Sequence, residues 1–173
     1  MIKTGIKDFY IKFAEEKDIP RVLAYIRKLA EYEKKLDKVE ATEESLMQAL
    51  FTDRAAEVIF AVYAGKIVGF ALFHKSFSTL TGKPGLHLVD LYIEPELRGR
   101  GLGKTMLSYL ASLAVERGYG RFEWWALNWN EPAIELYKKW GAPPMDDMKV
   151  YRMCDDNLKN FANFYLKGEA EKA

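Results

Sequence analysis

Glycines and basic residues alternate in one short stretch of this chain, at 98–104. An apolar run at 86–93 precedes the stretch and predicts a strand. Apolar residues at spacings of three or four follow it and predict a helix that begins near Leu102 and runs to about Arg117. The first amides of a helix have no partner inside it, and glycine lets an anion approach them closely. The stretch therefore predicts a binding site for a diphosphate, to which Arg98, Arg100 and Lys104 add positive charge.

The spacing of the glycines excludes two common nucleotide motifs. Gly99, Gly101 and Gly103 give G-x-G-x-G, whereas the dinucleotide fingerprint is G-x-G-x-x-G. The Walker loop would need its first glycine at Arg98. Taken alone, the stretch is explained equally well by a capped turn whose basic side chains lie in solvent.

A second motif lies at 127–142. Asn130 suits the residue before a helix, Pro132 is tolerated in a first turn, and Gly141 suits the residue after a helix end. A short helix is therefore predicted from about Glu131 to Trp140.

Together the two motifs resemble the GNAT superfamily of acetyl-CoA-dependent N-acetyltransferases. The resemblance is carried by Arg-x-x-Gly-x-Gly at 98–103 and by Asn-x-Pro-Ala-x-x-x-Tyr-x-x-x-Gly-Ala at 130–142. Within the superfamily the chain is similar to the spermidine/spermine (diamine) N-acetyltransferase branch, with which it shares segments at 29–33, 90–93 and 129–133. The resemblance spans about residues 8–165. It implies an α/β (α+β) fold, in which helices flank a mixed, partly antiparallel central sheet and a strand–glycine turn–helix unit forms the cofactor site.

The resemblance also implies acetyl-CoA as the acetyl donor, with no metal. A strand that diverges from its neighbour leaves amides and carbonyls free to pair with the pantetheine arm, and the pyrophosphate would bind the amides of the glycine turn. Asn130 and Ala133, at the start of the predicted short helix, would approach the pantetheine arm. The expected cofactor-binding residues are Leu91, Tyr92, Ile93, Arg98, Gly99, Arg100, Gly101, Leu102, Gly103, Lys104, Asn130, Ala133 and Tyr137.

Acetyl transfer to an amine needs a proton donor for the departing thiolate. Tyr137 matches the tyrosine that the family uses for this purpose, and packing against the sheet is the alternative interpretation.

Acetyl transfer also needs a group that takes the amine proton, because a free alkylamine titrates near 10. In the polyamine branch a glutamate precedes Asp90, where this chain has Val89. Strand alternation places His87, Val89, Leu91 and Ile93 on one face and Asp90 on the other. His87 is therefore the predicted base, with a structural histidine as the alternative and an electrostatic or anchoring role for Asp90.

The acceptor is left open by the sequence. Tyr32, Glu33, Val89 and Asp90 are the expected substrate-binding residues, by their match to the branch. Val89 replaces one acid of that branch, and Lys149 stands where another is expected. A polyamine, a diamine and a thialysine-like diamino acid all stay possible as small-molecule acceptors. The alternatives are acetylation of a protein N-terminus or lysine, and a non-catalytic domain that senses CoA.

Composition points to one cytoplasmic domain over 1–173, with a frayed tail from about 168. The chain has 26 basic and 25 acidic residues, a net charge of +1, which argues against a nucleic-acid partner. Its single cysteine, Cys154, excludes an intrachain disulfide, and no apolar run is long enough to span a membrane. The branch implies a homodimer, to which a C-terminal helix with Leu158, Phe161, Phe164 and Tyr165 could contribute.

The remaining pattern predicts alternating strands and helices. Asp18 with Pro20, and Thr42, begin two helices. Strands are expected at 9–13, 58–63, 67–77, 121–127 and 149–154, and a last helix at 156–166. The four tryptophans, at 124, 125, 129 and 140, are expected in the core.

Overall fold

The computed structural model describes residues 1–163. They form two compact units, one from Met1 to Trp125 and one that begins at Ala126. The first unit contains the sheet and the glycine turn, and the second contains the short helix with Tyr137. The expectation of one domain over 1–173 stays a prediction, and its frayed tail lies outside the described residues.

A mixed sheet forms the centre of the first unit. Within residues 1–163 it has six strands, in spatial order β1 (Ile2–Lys3), β2 (Phe9–Phe13), β3 (Glu57–Tyr63), β4 (Lys66–Ser78), β5 (Lys83–Ile93) and β6 (Arg121–Trp124). All neighbours are antiparallel except β5 and β6, which run parallel. A two-residue turn, Ala64-Gly65, joins β3 to β4, whereas the parallel pair needs a helical crossover. The predicted mixed, partly antiparallel sheet is confirmed.

The helices begin where the capping residues predict. They are α1 (Ile19–Tyr32), α2 (Glu43–Met47), α3 (Leu102–Glu116), α4 (Glu131–Lys139) and α5 (Asp155–Ala162). Asp18 precedes α1, and the Thr42 hydroxyl accepts a hydrogen bond from the Ser45 amide at the start of α2. The buried face of α1 packs on Phe60 and Phe70 of the sheet. On the other face, the Phe13 ring of β2 contacts Tyr109 of α3.

A β-bulge interrupts β5 at Val89. Leu72 of β4 pairs with Asp90, but the next residue, Phe73, pairs with Leu88, so Val89 is an extra residue without a partner on β4. Residues paired across neighbouring strands share a face of the sheet. His74 and Leu72 lie two apart on β4, and they pair with His87 and Asp90. The predicted separation of His87 from Asp90 is therefore wrong: the bulge places both on one face.

Two further expectations fail in the second half of the chain. The predicted strand at 149–154 is irregular and exposed, because alternation alone does not supply the neighbouring strand that a ladder requires. The core prediction for the tryptophans is also wrong, since Trp125, Trp129 and Trp140 are exposed. The last helix starts at Asp155, and its predicted part from 164 onward, with Phe164 and Tyr165, lies outside the described residues.

No helix among residues 1–163 combines the length and apolar character needed to cross a bilayer.

Candidate functional site

The glycine turn leads β5 into α3 through two residues with left-handed backbone. Gly99 has φ +76° and Gly101 has φ +82°, a region that residues with a side chain rarely adopt. The Thr105 amide donates a hydrogen bond to the Gly101 carbonyl at the start of α3. The amides of Leu102 and Gly103 precede it in the first turn, where amides have no partner within the helix, so they can bind an anion.

Gly103 leaves open space above these amides. A Cβ atom built at Gly103 has Ile93 Cγ1 as its nearest neighbour, at 3.9 Å, which is ordinary van der Waals contact. Glycine at this position is therefore not required by the protein's own packing. The space that a side chain would fill is available to a ligand, as a diphosphate site needs.

The strand that leads to this turn has one free edge. Pairs between β5 and β6 run from Gly85–Arg121 to Leu88–Trp124 and stop there, whereas pairing between β5 and β4 continues to Ile93. In the first unit, residues 89–93 therefore pair on one side only. On that side the backbone of Leu91, Tyr92 and Ile93 has no strand partner within the first unit, so an amide-containing chain that runs toward the glycine turn can pair with it.

The Arg98 side chain contacts the end of β5 and two aromatic rings near it. Its Nε donates a hydrogen bond to the Ile93 carbonyl at 2.9 Å. Its guanidinium lies over the rings of Tyr32, at 4.7 Å, and Tyr92, at 5.4 Å. Arg98 therefore joins the C-terminal end of α1 to the end of β5 just before the glycine turn, and its charge is stabilised by two aromatic faces.

Two carboxylates, Asp90 and Glu33, interact electrostatically near the free edge. Asp90 is partly buried on β5, and Glu33 follows the last residue of α1. Burial, and then the negative charge of Glu33, raise the pKa of Asp90 to about 6. Glu33 also forms an ion pair with Lys35 at 3.0 Å. Asp90 and Glu33 together attract a cation. The pKa of Asp90 is that of a group that can exchange a proton near neutral pH.

His87 lies on the same face of the sheet as Asp90 and is more deeply buried. It is 8% exposed, and its ring packs beside His74 at 5.0 Å and edge-on against Trp125 at 4.9 Å. Burial, and then the neighbouring His74, lower its pKa, against the opposing effect of Glu123, whose Oε1 lies 3.9 Å from His87 Nδ1. The imidazole is therefore neutral at neutral pH.

The second unit contains the remaining predicted residues. Asn130 precedes α4, and its carbonyl accepts the amides of Ala133 and Ile134 at 3.1 Å. The Asn130 side chain accepts no hydrogen bond from a backbone amide at this cap. The Tyr137 ring lies 6.0 Å from that of Trp140, edge to face. The predicted helix at 131–140 is confirmed to within a residue.

Sequence reasoning missed Glu123, Trp125 and the bulge. Glu123 and Trp125 lie two apart around the end of β6, and both contact His87. The sequence shows that Glu123 and Trp125 are two residues apart and so share a face of a strand, but it does not show which residues of β5 they lie beside. The bulge had no local signal, because Val89 is an ordinary strand residue.

The comparisons with known proteins identify the family of this chain. The model of the acetyltransferase (GNAT) family matches residues 13–142. A thialysine N-epsilon-acetyltransferase of Sus scrofa is 36% identical over 169 residues, which cover 92% of this chain and 93% of that protein. The spermidine/spermine N(1)-acetyltransferase-like protein 1 of Homo sapiens is 31% identical over 152 residues, 82% of this chain and 21% of that protein.

A solved structure supports the fold independently. An integron cassette protein from the mobile metagenome of V. cholerae superposes with a TM-score of 0.76 at 24% identity, over 91% of this chain and 99% of its own. The strand–glycine turn–helix unit lies inside the matched family region. The chain therefore belongs to the GNAT family of acetyltransferases, as the resemblance implied.

Proposed function

We propose that this protein acetylates the side-chain primary amine of a small diamino acid of the thialysine type, using acetyl-CoA. The observation that carries the proposal is the Glu33–Asp90 carboxylate pair beside the free edge of β5. Two negative groups attract an ammonium group, which one end of a small amine acceptor supplies. The thialysine N-epsilon-acetyltransferase that matches nearly the whole of both chains supports the same substrate class.

The donor site would be formed by backbone groups. The free edge at 91–93 would pair with the pantetheine amides, and the amides of Leu102 and Gly103 would hold the pyrophosphate. The open space above Gly103 fits this use. Bound there, acetyl-CoA supplies an activated acetyl thioester. Asn130 and Ala133 stay predicted contacts of the arm.

We place the proton acceptor at Asp90. Its carboxylate takes a proton from the bound ammonium group, and Glu33 keeps the site negative after Asp90 is neutralised. Asp90 is more accessible than His87, which is buried under Trp125. His87 is the alternative base, and Tyr137 is the proposed proton donor to the leaving sulfur.

The test is thiol release from acetyl-CoA with a panel of acceptors. Thialysine, lysine, ornithine, spermidine and a peptide with a free N-terminus cover the small-molecule and protein alternatives. We expect the highest kcat/KM with the diamino acids. A preference for the peptide would refute the proposal. CoA binding without thiol release for any of these acceptors would favour a sensor.

The finer predictions on assembly and location are retained as proposals. A homodimer would cover the exposed apolar side chains of Leu158 and Phe161 on α5. A cytoplasmic location is proposed with it. Sedimentation at micromolar concentration distinguishes dimer from monomer.

A further inference from the structure

The gap between β5 and β6 opens between two exposed apolar side chains. The last pair of the two strands is Leu88–Trp124, and the next residue on each strand is Val89 and Trp125. Val89 is the bulge residue, and it is 50% exposed. Trp125 is 63% exposed. The entrance to the gap is therefore formed by an aliphatic group and an indole, where solvent would favour polar residues.

The indole is held in place although it is exposed. One edge of Trp125 packs against the ring of His87, with 4.9 Å between centroids. His87 is itself buried and packs on His74 of β4. A side chain fixed in this way loses little conformational entropy when a ligand covers it.

The charges near the entrance are unevenly distributed. Asp90 follows Val89 directly, and with Glu33 it forms the carboxylate pair. Glu33 is in an ion pair with Lys35 at 3.0 Å and Glu123 with Arg121 at 3.2 Å, whereas Asp90 forms no ion pair among the described residues. A cationic group is therefore favoured at Asp90, whereas the entrance itself offers apolar contact.

We infer that Val89 and Trp125 form an apolar subsite for the carbon chain of the acceptor amine. The subsite favours acceptors in which several methylene groups separate the reacting ammonium group from the next charge, as they do in a diamino acid. This inference rests on the proposed function and deepens it, because it names the part of the acceptor that lies beyond the reacting nitrogen.

A series of n-alkylamines from propylamine to hexylamine tests the subsite. Each buried methylene should raise kcat/KM by about threefold in the wild type. In Trp125→Ala, kcat/KM should be nearly independent of chain length. The conservative Trp125→Phe should retain most of the increase per methylene. Equal dependence on chain length in the wild type and Trp125→Ala would overturn the inference.

Val89→Glu tests selectivity by adding a charge at the entrance. The ratio of kcat/KM for putrescine to that for butylamine should rise about 10-fold or more, because the second ammonium group gains a partner. Val115→Glu, on an exposed position of α3, adds the same charge elsewhere and should leave the ratio unchanged. An unchanged ratio in Val89→Glu would count against the subsite.

Binding without turnover separates this inference from the proposed function. Calorimetric titration of hexylamine into the protein saturated with CoA needs no acetyl transfer. We expect about 10-fold weaker binding in Trp125→Ala than in the wild type. If the wild type acetylates no small amine but this difference is found, the proposed function fails and the subsite stands. If diamino acids are acetylated and the two proteins bind hexylamine equally, the subsite alone fails.

Discussion

Replacing Asp90 by asparagine removes a negative charge that destabilises the folded protein. The pKa of this carboxyl is about 6 in the folded protein, against 3.8 for an ordinary aspartate. The folded state therefore favours the protonated form, and the charged form lowers the free energy of unfolding. A difference of about 2 units corresponds to about 3 kcal/mol at 1.36 kcal/mol per unit. Because Asp90 is only partly buried, solvent screening reduces this, and we expect a gain of about 1–2 kcal/mol for Asp90→Asn.

The gain depends on pH in a defined direction. Above pH 6 Asp90 is charged in both states, so the stabilisation by Asp90→Asn is fully present. It declines as the pH falls from about 6 to 3.8, and it vanishes below 3.8, where the carboxyl is protonated in both states. The same variant should lose at least about 100-fold in kcat/KM for the acceptor, because it cannot take a proton.

Urea unfolding at pH 8 and pH 4 measures the effect. With a slope of about 1–3 kcal/mol per molar urea, the midpoint at pH 8 should rise by roughly 0.5–1 M. Asp146→Asn, on an exposed segment of the second unit, is the matched control for loss of a carboxylate. Equal stability of Asp90→Asn and the wild type at pH 8, or a gain of the same size at both pH values, would refute the reasoning.

Four other substitutions test separate parts of the site. Gly103→Val should keep the folded structure, since its Cβ meets only Ile93 Cγ1 at 3.9 Å, but it should abolish CoA binding in a calorimetric titration; retained affinity would show that the turn holds no diphosphate. Arg98→Met should raise KM for both acetyl-CoA and the acceptor, because it frees the Ile93 carbonyl and the Tyr32 ring; an effect on one substrate alone would contradict the joining role. Tyr137→Phe should lower kcat about 100-fold with CoA affinity unchanged, and a normal kcat would remove it from the mechanism. Glu33→Gln should shift the acidic limb of the kcat/KM profile to lower pH, because the charge of Glu33 raises the pKa of Asp90. If His87→Ala shifts this limb and Glu33→Gln does not, His87 is the base.

The parts of the fold that follow from short-range rules were predictable. Thr42 begins a helix because its hydroxyl satisfies a free amide three residues on, and the two glycines of the turn adopt the left-handed backbone that only glycine adopts readily. These effects act within a few residues and are visible in the sequence. They placed α2, α3 and α4 close to where the structure has them.

The parts that depend on pairing between distant residues were not predictable. Whether 149–154 forms a strand depends on a neighbour, and the segment is irregular in the described chain. The exposure of Trp125 depends on where β5 and β6 diverge, and the environment of His87 depends on its register with β4 and β6. The raised pKa of Asp90 arises from its burial in the fold and then from the charge of Glu33, which is distant in sequence.

The bulge at Val89 makes the chemistry of this strand sensitive to chain length as well as to residue type. Deleting that one residue would remove the bulge and leave His87 and Asp90 two apart in a regular strand, so both would stay on one face. A single residue inserted between them with the bulge retained would instead turn one of them toward the side where α3 packs, although every proposed catalytic side chain is still encoded. Conversely, an insertion in a regular strand of another protein could bring two titratable groups to one side without any substitution.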